Sequence, residues 1–324
     1  MGRRYLVTGG AGFIGSNFIR YVLAHEAGAE VTNLDLLTYA GVEATVREMD
    51  ADPRHRFVHG DIGDAGLVDR LLPGHDVVVN FAAETHVDRS ITGPAVFLQT
   101  NVVGTGVLLD AARRGGAPRF IQVSTDEVYG SLSAGFAAED APLRPSSPYS
   151  ASKAAGDLLA ASYGTTFDYP VIVTRCTNNY GPYQFPEKVI PLFVTNLLDG
   201  RKVPLYGEGR NERDWLHVAD HCAALHLLVE RGAPGEVYNI GAGAQLPNLE
   251  LTRRILAALG RGEEMIERVP DRPGHDLRYA VDSSKLRRLG WAPARSFDEH
   301  LAATIAWYRD RPDWWRPLKE GSRP

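Results

Sequence analysis

The sequence predicts an α/β fold built on a doubly wound parallel sheet, with a smaller α/β region towards the C-terminus. Three observations predict it. Short apolar runs alternate with amphipathic stretches through the first half of the chain. A glycine-rich turn joins the first apolar run to the first amphipathic stretch. After Asn178 the alternation loosens into loops rich in glycine, proline and aromatics, interrupted by helical patterns.

Residues 5–8 read as the first strand, 13–25 as a helix and 31–35 as the second strand. Further strands are expected at 56–59, 76–80 and 120–124, with helical patterns over 64–72 and 95–114 between them. Apolar strands separated by helices imply βαβ units, hence parallel strands covered on both faces. A proline-rich loop at 141–148 precedes a helix over 149–163 and a strand at 171–174. Later helices are expected at 191–198, 220–230, 248–259 and 297–308. The expected division is a dinucleotide-binding domain at 1–177, with a returning segment at about 216–240, and a mainly substrate-binding region at 178–324.

A chain of 324 residues buries a large core without staples. The 44% hydrophobic and 23% charged residues are the ordinary balance of a globular enzyme. A net charge of −5 provides no positive field to gather nucleic acid or an anionic membrane, so an anionic ligand has to be held by local donors. Cys176 and Cys222 alone make no disulfide framework, which points to a reducing, cytoplasmic setting. The N-terminal apolar run is too short for a signal sequence. Leu6 stands where a lipidation motif starting at Gly2 needs Ser or Thr. No apolar stretch is expected to approach the ~20 residues of a membrane span.

Gly9-Gly-Ala-Gly12-Phe-Ile-Gly15 follows the first strand and opens the first helix. Glycines there allow a tight turn, close approach of backbone to a pyrophosphate, and tight helix–strand packing. The helix start offers N–H donors and a positive dipole end. Asp35 ends the second strand about twenty residues on, where an acid accepts hydrogen bonds from the adenine ribose hydroxyls. Its charge would repel a 2′-phosphate, so NAD is expected rather than NADP. Strand, turn, helix and acid in this order define a Rossmann-type unit.

Tyr149-Ser-Ala-Ser-Lys153 puts a phenol and an ammonium at i and i+4, on one helical face. A phenol with pKa near ~10 is a poor base at neutral pH, and a nearby cation is expected to lower it. Many solvated helices contain this spacing, so context has to decide. In its order of elements the chain resembles the extended short-chain dehydrogenase/reductase family. The resemblance implies that Tyr149 is the catalytic base and that Lys153 also holds the nicotinamide ribose. Ser124 or Thr125 would complete the triad, and the family pattern points to Thr125.

Thr125-Asp126-Glu127-Val-Tyr-Gly130 selects the reaction. A dehydration needs a base for the proton next to a new ketone and an acid for the departing hydroxyl. Adjacent carboxyls fill both roles if their environments separate their pKa values. An enzyme that only inverts C4 needs neither. The segment resembles the signature of the dTDP-glucose 4,6-dehydratase family, which implies that Asp126 is the acid and Glu127 the base.

Similar segments extend over most of the chain: Ala82-Ala-Glu-Thr-His-Val-Asp-Arg-Ser90, Asn178-Asn-Tyr-Gly-Pro-Tyr-Gln184, Pro186-Glu-Lys-Val-Ile-Pro191, Arg213-Asp-Trp-Leu-His-Val-Ala-Asp220 and Asp271-Arg-Pro-Gly-His-Asp276. Carried over residue by residue, the resemblance implies NAD contacts at Gly9, Gly12, Phe13, Ile14, Gly15, Asp35, Asp61, Ile62, Ala82, Ala83, Glu84, Thr100, Tyr149, Lys153 and Asn179. It implies contacts to dTDP-glucose at Thr85, Thr125, Asn178, Lys188, Val189, Pro204, Leu205, Tyr206, Arg213, Asn248, Asp271, Arg272 and His275. It also implies a homodimer joined through helices that include the Tyr149 helix. Thr85 and Thr177 depart from the family's serines but keep the hydroxyl.

His217, His221, Cys222 and His226 have metal-ligand spacing. Asp220 is expected to cap the helix, which would leave His217 outside it, and the proposed chemistry needs no metal. Trp314-Trp315 reads as packing of the tail. The competing readings are a nucleotide-sugar 4-epimerase, a UDP-glucuronate decarboxylase, or a non-catalytic NAD-binding sensor or scaffold. The first two have no use for Asp126-Glu127, and a sensor has none for Thr125, Tyr149 and Lys153.

Overall fold

The structure, a computed structural model, describes residues 2–271 and 275–321. Five strands alternate with helices in the first part: β1 (Arg4–Thr8), α1 (Phe13–His25), β2 (Glu30–Asp35), α2 (Glu43–Met49), β3 (His55–His59), α3 (Ala65–Leu71), β4 (Val77–Asn80), α4 (Val87–Thr92), α5 (Pro94–Leu98), α6 (Thr105–Arg114) and β5 (Phe120–Thr125). Then follow α7 (Pro148–Phe167), β6 (Val171–Cys176), β7 (Asn178–Tyr180), α8 (Val189–Leu198), β8 (Val203–Tyr206), β9 (Glu212–His217), α9 (Val218–Arg231) and β10 (Val237–Ile240). The chain closes with β11 (Gln245–Pro247), α10 (Asn248–Ala258), β12 (Ile266–Val269), α11 (Ser284–Arg288), α12 (Phe297–Asp310) and α13 (Pro312–Gly321).

Seven parallel strands form one sheet in the order β10-β6-β5-β4-β1-β2-β3. Every residue of β4, β5 and β6 is buried, the pattern of strands covered on both faces. One apolar cluster, around Phe18, Ile19, Leu225 and Leu228, packs α1 and α9 on one side. Another, around Leu72, Leu108, Leu109 and Phe120, packs α3 and α6 on the other. Helix α9 and strand β10 therefore return to the first sheet after β7 to β9 have left it.

Sequence and turn chemistry fix the elements that matter for the site. Helix α1 buries Phe18, Ile19 and Val22 on one face, and its N-cap, Gly12, makes no side-chain cap. Its first N–H groups are left for a ligand. Helix α7 starts at a capping box between Ser147 and Ser150 with Pro148 in the first turn, which fixes Tyr149 in that turn and Lys153 one turn on.

Three expectations are corrected. The helix expected over 95–114 runs as α5 and α6 joined by a π-turn, Gln99–Gly104. Such bulges recur at functional sites, and this one carries Thr100 to the cavity described below. The same run, Pro94–Arg114, is long and apolar enough by composition to span a membrane, contrary to expectation; here it packs against α3 and α7. Asp220 is not the cap of α9. His217 is: its Nδ1 accepts from the Ala219 N–H, while Asp220 Oδ2 binds His300 Nε2 at 3.1 Å. An imidazole nitrogen in the cap position met the need first and released the carboxylate to α12.

Candidate active site

A cleft crosses the carboxyl ends of β1, β2, β4, β5 and β6, where ligands of open α/β sheets bind. Gly9 and Gly15 shape its floor. Gly9 has φ of +70°, and a Cβ there would lie 2.6 Å from the Ala82 nitrogen; at Gly15 it would lie 2.4 Å from the Gly9 carbonyl oxygen. The backbone is therefore as close as it can be, and the uncapped start of α1 opens above it. Asp35, at the end of β2, accepts from the Leu37 and Ala11 N–H groups at 2.8 and 2.9 Å. Burial pushes its carboxyl up and these two bonds hold it down. A glycine cradle, free helix N–H groups and a strand-end acid fit a dinucleotide.

All fifteen residues expected at the cofactor line this cleft: Gly9, Gly12, Phe13, Ile14, Gly15, Asp35, Asp61, Ile62, Ala82, Ala83, Glu84, Thr100, Tyr149, Lys153 and Asn179. So do Thr125, Glu127, Thr85, Asn178 and Lys188. Asp126 lies behind them, 3% exposed.

Thr125 ends β5 and caps a short 3-10 turn, Asp126–Tyr129. Its hydroxyl accepts from the Glu127 N–H at 3.3 Å and donates to Asp126 Oδ1 at 3.3 Å. Turn geometry thus separates the neighbouring acids, one into the cleft and one into the interior. Burial, then the Glu127 charge, pushes the Asp126 carboxyl far above the ordinary range; the Arg213 guanidinium opposes this. Burial thus favours the form of Asp126 that has a proton to give, and the cleft-facing Glu127 can receive one.

Lys153 is buried, and its ammonium donates to the Val123 carbonyl at 2.7 Å. The expected lowering of the Tyr149 phenol by Lys153 is not what the structure shows for the protein alone. Desolvation, then the Glu127 charge, pushes the phenol well above its usual value. The Lys153 ammonium is not among the main influences on it.

The remaining expected substrate residues that the structure describes lie away from the cleft lining. Arg213 is buried, stacks 4.4 Å over Tyr279 and donates to the Asp276 carbonyl at 2.9 Å. Val189 opens α8 and packs on the second core, around Trp215 and Leu251. Pro204, Leu205 and Tyr206 form β8, paired with β12; Tyr206 is exposed at its end. Its ring meets His275 edge-on, and His275 Nδ1 lies 2.6 Å from Asp271 Oδ1. Asn248 opens α10, its N–H bonded to the Asn211 carbonyl. Tyr206, Asp271 and His275 thus form a second group, and Arg272 lies outside the described residues.

Sequence reasoning missed Tyr39 and His86, and considered His221 only as a metal ligand. Tyr39 lines the cleft, donates to the Thr85 carbonyl at 2.8 Å and carries the Arg89 guanidinium 3.7 Å over its ring. The available signal was its place in the loop after Asp35. His86 has φ of +93°, a strained conformation at the N-cap of α4 that no sequence pattern marks. His221, pushed down to about 3 by burial, bonds Asn179 Oδ1 at 2.9 Å. The other residues of that motif face elsewhere: His217 stacks on His300, Cys222 is in the core, and His226 binds Glu26. Among the described residues no group of three or more His, Cys, Asp or Glu is arranged to hold a metal.

Fold and site together define a dinucleotide-dependent enzyme of the extended short-chain dehydrogenase/reductase type. Residues 6–304 match the family model described as GDP-mannose 4,6 dehydratase. The chain is 54% identical over 321 residues to the dTDP-glucose 4,6-dehydratase of Streptomyces niveus, spanning 98% of this chain and 96% of that one. The crystal structure of a dTDP-glucose 4,6-dehydratase from Streptomyces venezuelae with NAD and dTDP bound superposes with a TM-score of 0.95, at 55% identity over 97% of this chain and 99% of that one. A UDP-glucose 4-epimerase from Thermus thermophilus with NAD reaches 0.88 at 32% identity, over 95% and 99% of the two chains. The chain belongs to the dTDP-glucose 4,6-dehydratase family.

Proposed function

We propose that the residues gathered at the end of β5 and the start of α7 convert dTDP-glucose to dTDP-4-keto-6-deoxyglucose and water. The protein is an NAD-dependent hydro-lyase. The observation that carries the residue assignment is the division of Asp126 from Glu127, one carboxyl buried, the other lining the cleft.

The glycine turn, the start of α1 and Asp35 would hold NAD, which would supply the acceptor for the C4 hydride and its donor to C6. Tyr149 receives the C4 hydroxyl proton, with Thr125 donating to the same oxygen and Lys153 holding its charge nearby. The C4 ketone acidifies C5, and Glu127 removes that proton. Asp126 delivers its proton to the C6 hydroxyl, which leaves as water as the C5–C6 double bond forms. A proton then returns to C5 as C6 is reduced.

Residues 1–177 with the segment at about 216–240 hold the cofactor in this reading, and 178–324 mainly hold the sugar nucleotide. Thr85, Asn178 and Lys188 face the sugar. Val189, Pro204, Leu205, Tyr206, Arg213, Asn248, Asp271, Arg272 and His275 are assigned to the nucleotide end. Exposed Leu158 and Phe167 on α7, beside exposed Leu98 and Val103, support a homodimer through this face. Two buried free thiols, Cys176 and Cys222, fit a cytoplasmic location.

The test is incubation with dTDP-glucose and assay for a base-labile 4-keto chromophore. Its formation with loss of water is expected. Conversion to a C4-inverted sugar that keeps the C6 hydroxyl would support the epimerase reading.

A further inference from the structure

A row of polar side chains runs beneath the catalytic residues, across three strands. Ser124 on β5, Arg175 on β6 and Asn239 on β10 are register partners, so they share one face of the sheet. Helix α7 lies against β5 and β6 and adds Asp157, one turn beyond Lys153 on the same helical face. Asp157 and Arg175 are 2% and 6% exposed, and Arg175 Nε donates to Asp157 Oδ2 at 3.0 Å. Arg175 Nη1 also donates to the Tyr129 hydroxyl at 2.8 Å and the Glu139 carbonyl at 3.1 Å. Tyr129 in turn donates to Asn239 Oδ1 at 2.8 Å. The Asp157 carboxylate is therefore held through Oδ2 by a guanidinium that Tyr129 and Glu139 fix in turn.

We propose that Asp157, fixed by Arg175, is a positioning residue for the reaction: it is the buried counter-charge that keeps the Lys153 ammonium charged and in place beside Tyr149. The inference rests on the assignment of Lys153 to the reaction. A buried ammonium with only a carbonyl for a partner pays a large desolvation penalty and tends to lose its proton. Burial does push Lys153 down, and the Asp157 charge is the largest opposing influence, followed by the Cys176 thiol. Tyr149 and Glu127 line the same cleft, and Asp126 lies behind it. Burial pushes the Asp157 carboxyl up, and the Arg175 guanidinium is the largest influence that opposes this, with Lys153 adding to it. A purely structural ion pair would link α7 to β6 without affecting the lysine.

The experiment compares pH profiles of kcat/KM for dTDP-glucose with NAD-loaded wild type, Asp157→Asn, Asp157→Glu and Arg175→Gln, with Tm measured alongside. A lysine that loses its counter-charge deprotonates at lower pH, so the alkaline limb of Asp157→Asn should move down by about 1 unit or more. Asp157→Glu should restore it. Arg175→Gln removes the charge that holds the Asp157 carboxyl down against burial, so its limb should move down as well, and this shift remains readable if Asp157→Asn folds poorly. A fall in Tm with the limb unmoved in both variants would overturn the proposal and leave a structural pair. Lys153→Met with near wild-type turnover would instead overturn the assignment of Lys153 on which the proposal rests.

Discussion

Lys153 stands one helical turn beyond Tyr149, yet its ammonium donates to the main-chain carbonyl of Val123, at 2.7 Å. The bond ties α7 to β5 and fixes the position of Tyr149 relative to Thr125 at the end of that strand. The phenol is thus placed by the lysine's anchor, while its proton affinity is set by burial and by Glu127.

Tyr149→Phe removes the group that receives the C4 hydroxyl proton. Turnover should fall by about 10²–10⁴-fold, the usual worth of general-base catalysis. The Tm should stay near wild type, because the ring keeps its edge contact with Phe97. Steady-state rates and a thermal melt check this; turnover near wild type would remove Tyr149 from the first step.

Glu127→Gln and Asp126→Asn should each oxidise C4 and then stall. The first cannot take the C5 proton, and the second has no acidic proton for the C6 hydroxyl. Absorbance of reduced nicotinamide should appear on mixing with substrate and persist. Product formed at the normal rate by either variant would contradict that residue's assignment.

The burial of Asp126 also has a cost in stability. Its folded-state pKa is raised, so the folded protein binds this proton more tightly than the unfolded chain does. The group's contribution is full below its unfolded pKa near ~4 and is lost as pH rises through the raised folded value. Asp126→Asn has no such loss. Its stability relative to wild type should therefore improve with rising pH, by about 1.4 kcal/mol per unit at most up to the raised pKa. Urea unfolding at several pH values reads this, and a difference independent of pH would contradict the upward shift of the buried carboxyl.

Asp35→Ala should weaken NAD binding and relax discrimination against NADP. The carboxylate sits at the end of β2 with both oxygens already oriented by backbone N–H groups. Titration of cofactor-free protein with each nucleotide is the check, and an unchanged preference would mean that another group recognises the ribose.

Much of the first sheet was legible because parallel strands buried on both faces leave continuous apolar runs. The bounds of α1, Phe13–His25, coincide with the sequence reading, since a glycine turn before it and a polar break after it frame one amphipathic face. The strands β7 to β12 were not legible. They are three to six residues long, and their partners lie far away in sequence, as with Ile266 against Val203. Helix α2 was missed because its short Glu43–Met49 face is defined by contacts with α1 and by Trp314, whose indole bonds the Thr45 hydroxyl across 269 residues. In the site, motif residues were legible because turn and spacing carry them. Tyr39, His86 and the Asp157–Arg175 pair were not, because each acts through a contact that only the folded chain creates.

The central claim is that one enclosed site removes hydrogen from C4 and returns it to C6 of the same molecule. Substrate deuterated at C4, mixed with unlabelled substrate of another mass, tests it most directly by mass spectrometry and NMR of the product. The account predicts deuterium at C6 of the labelled molecules alone, with a solvent-derived hydrogen at C5. Extensive crossover of label between molecules, or label retained at C4 of an inverted sugar, would contradict it.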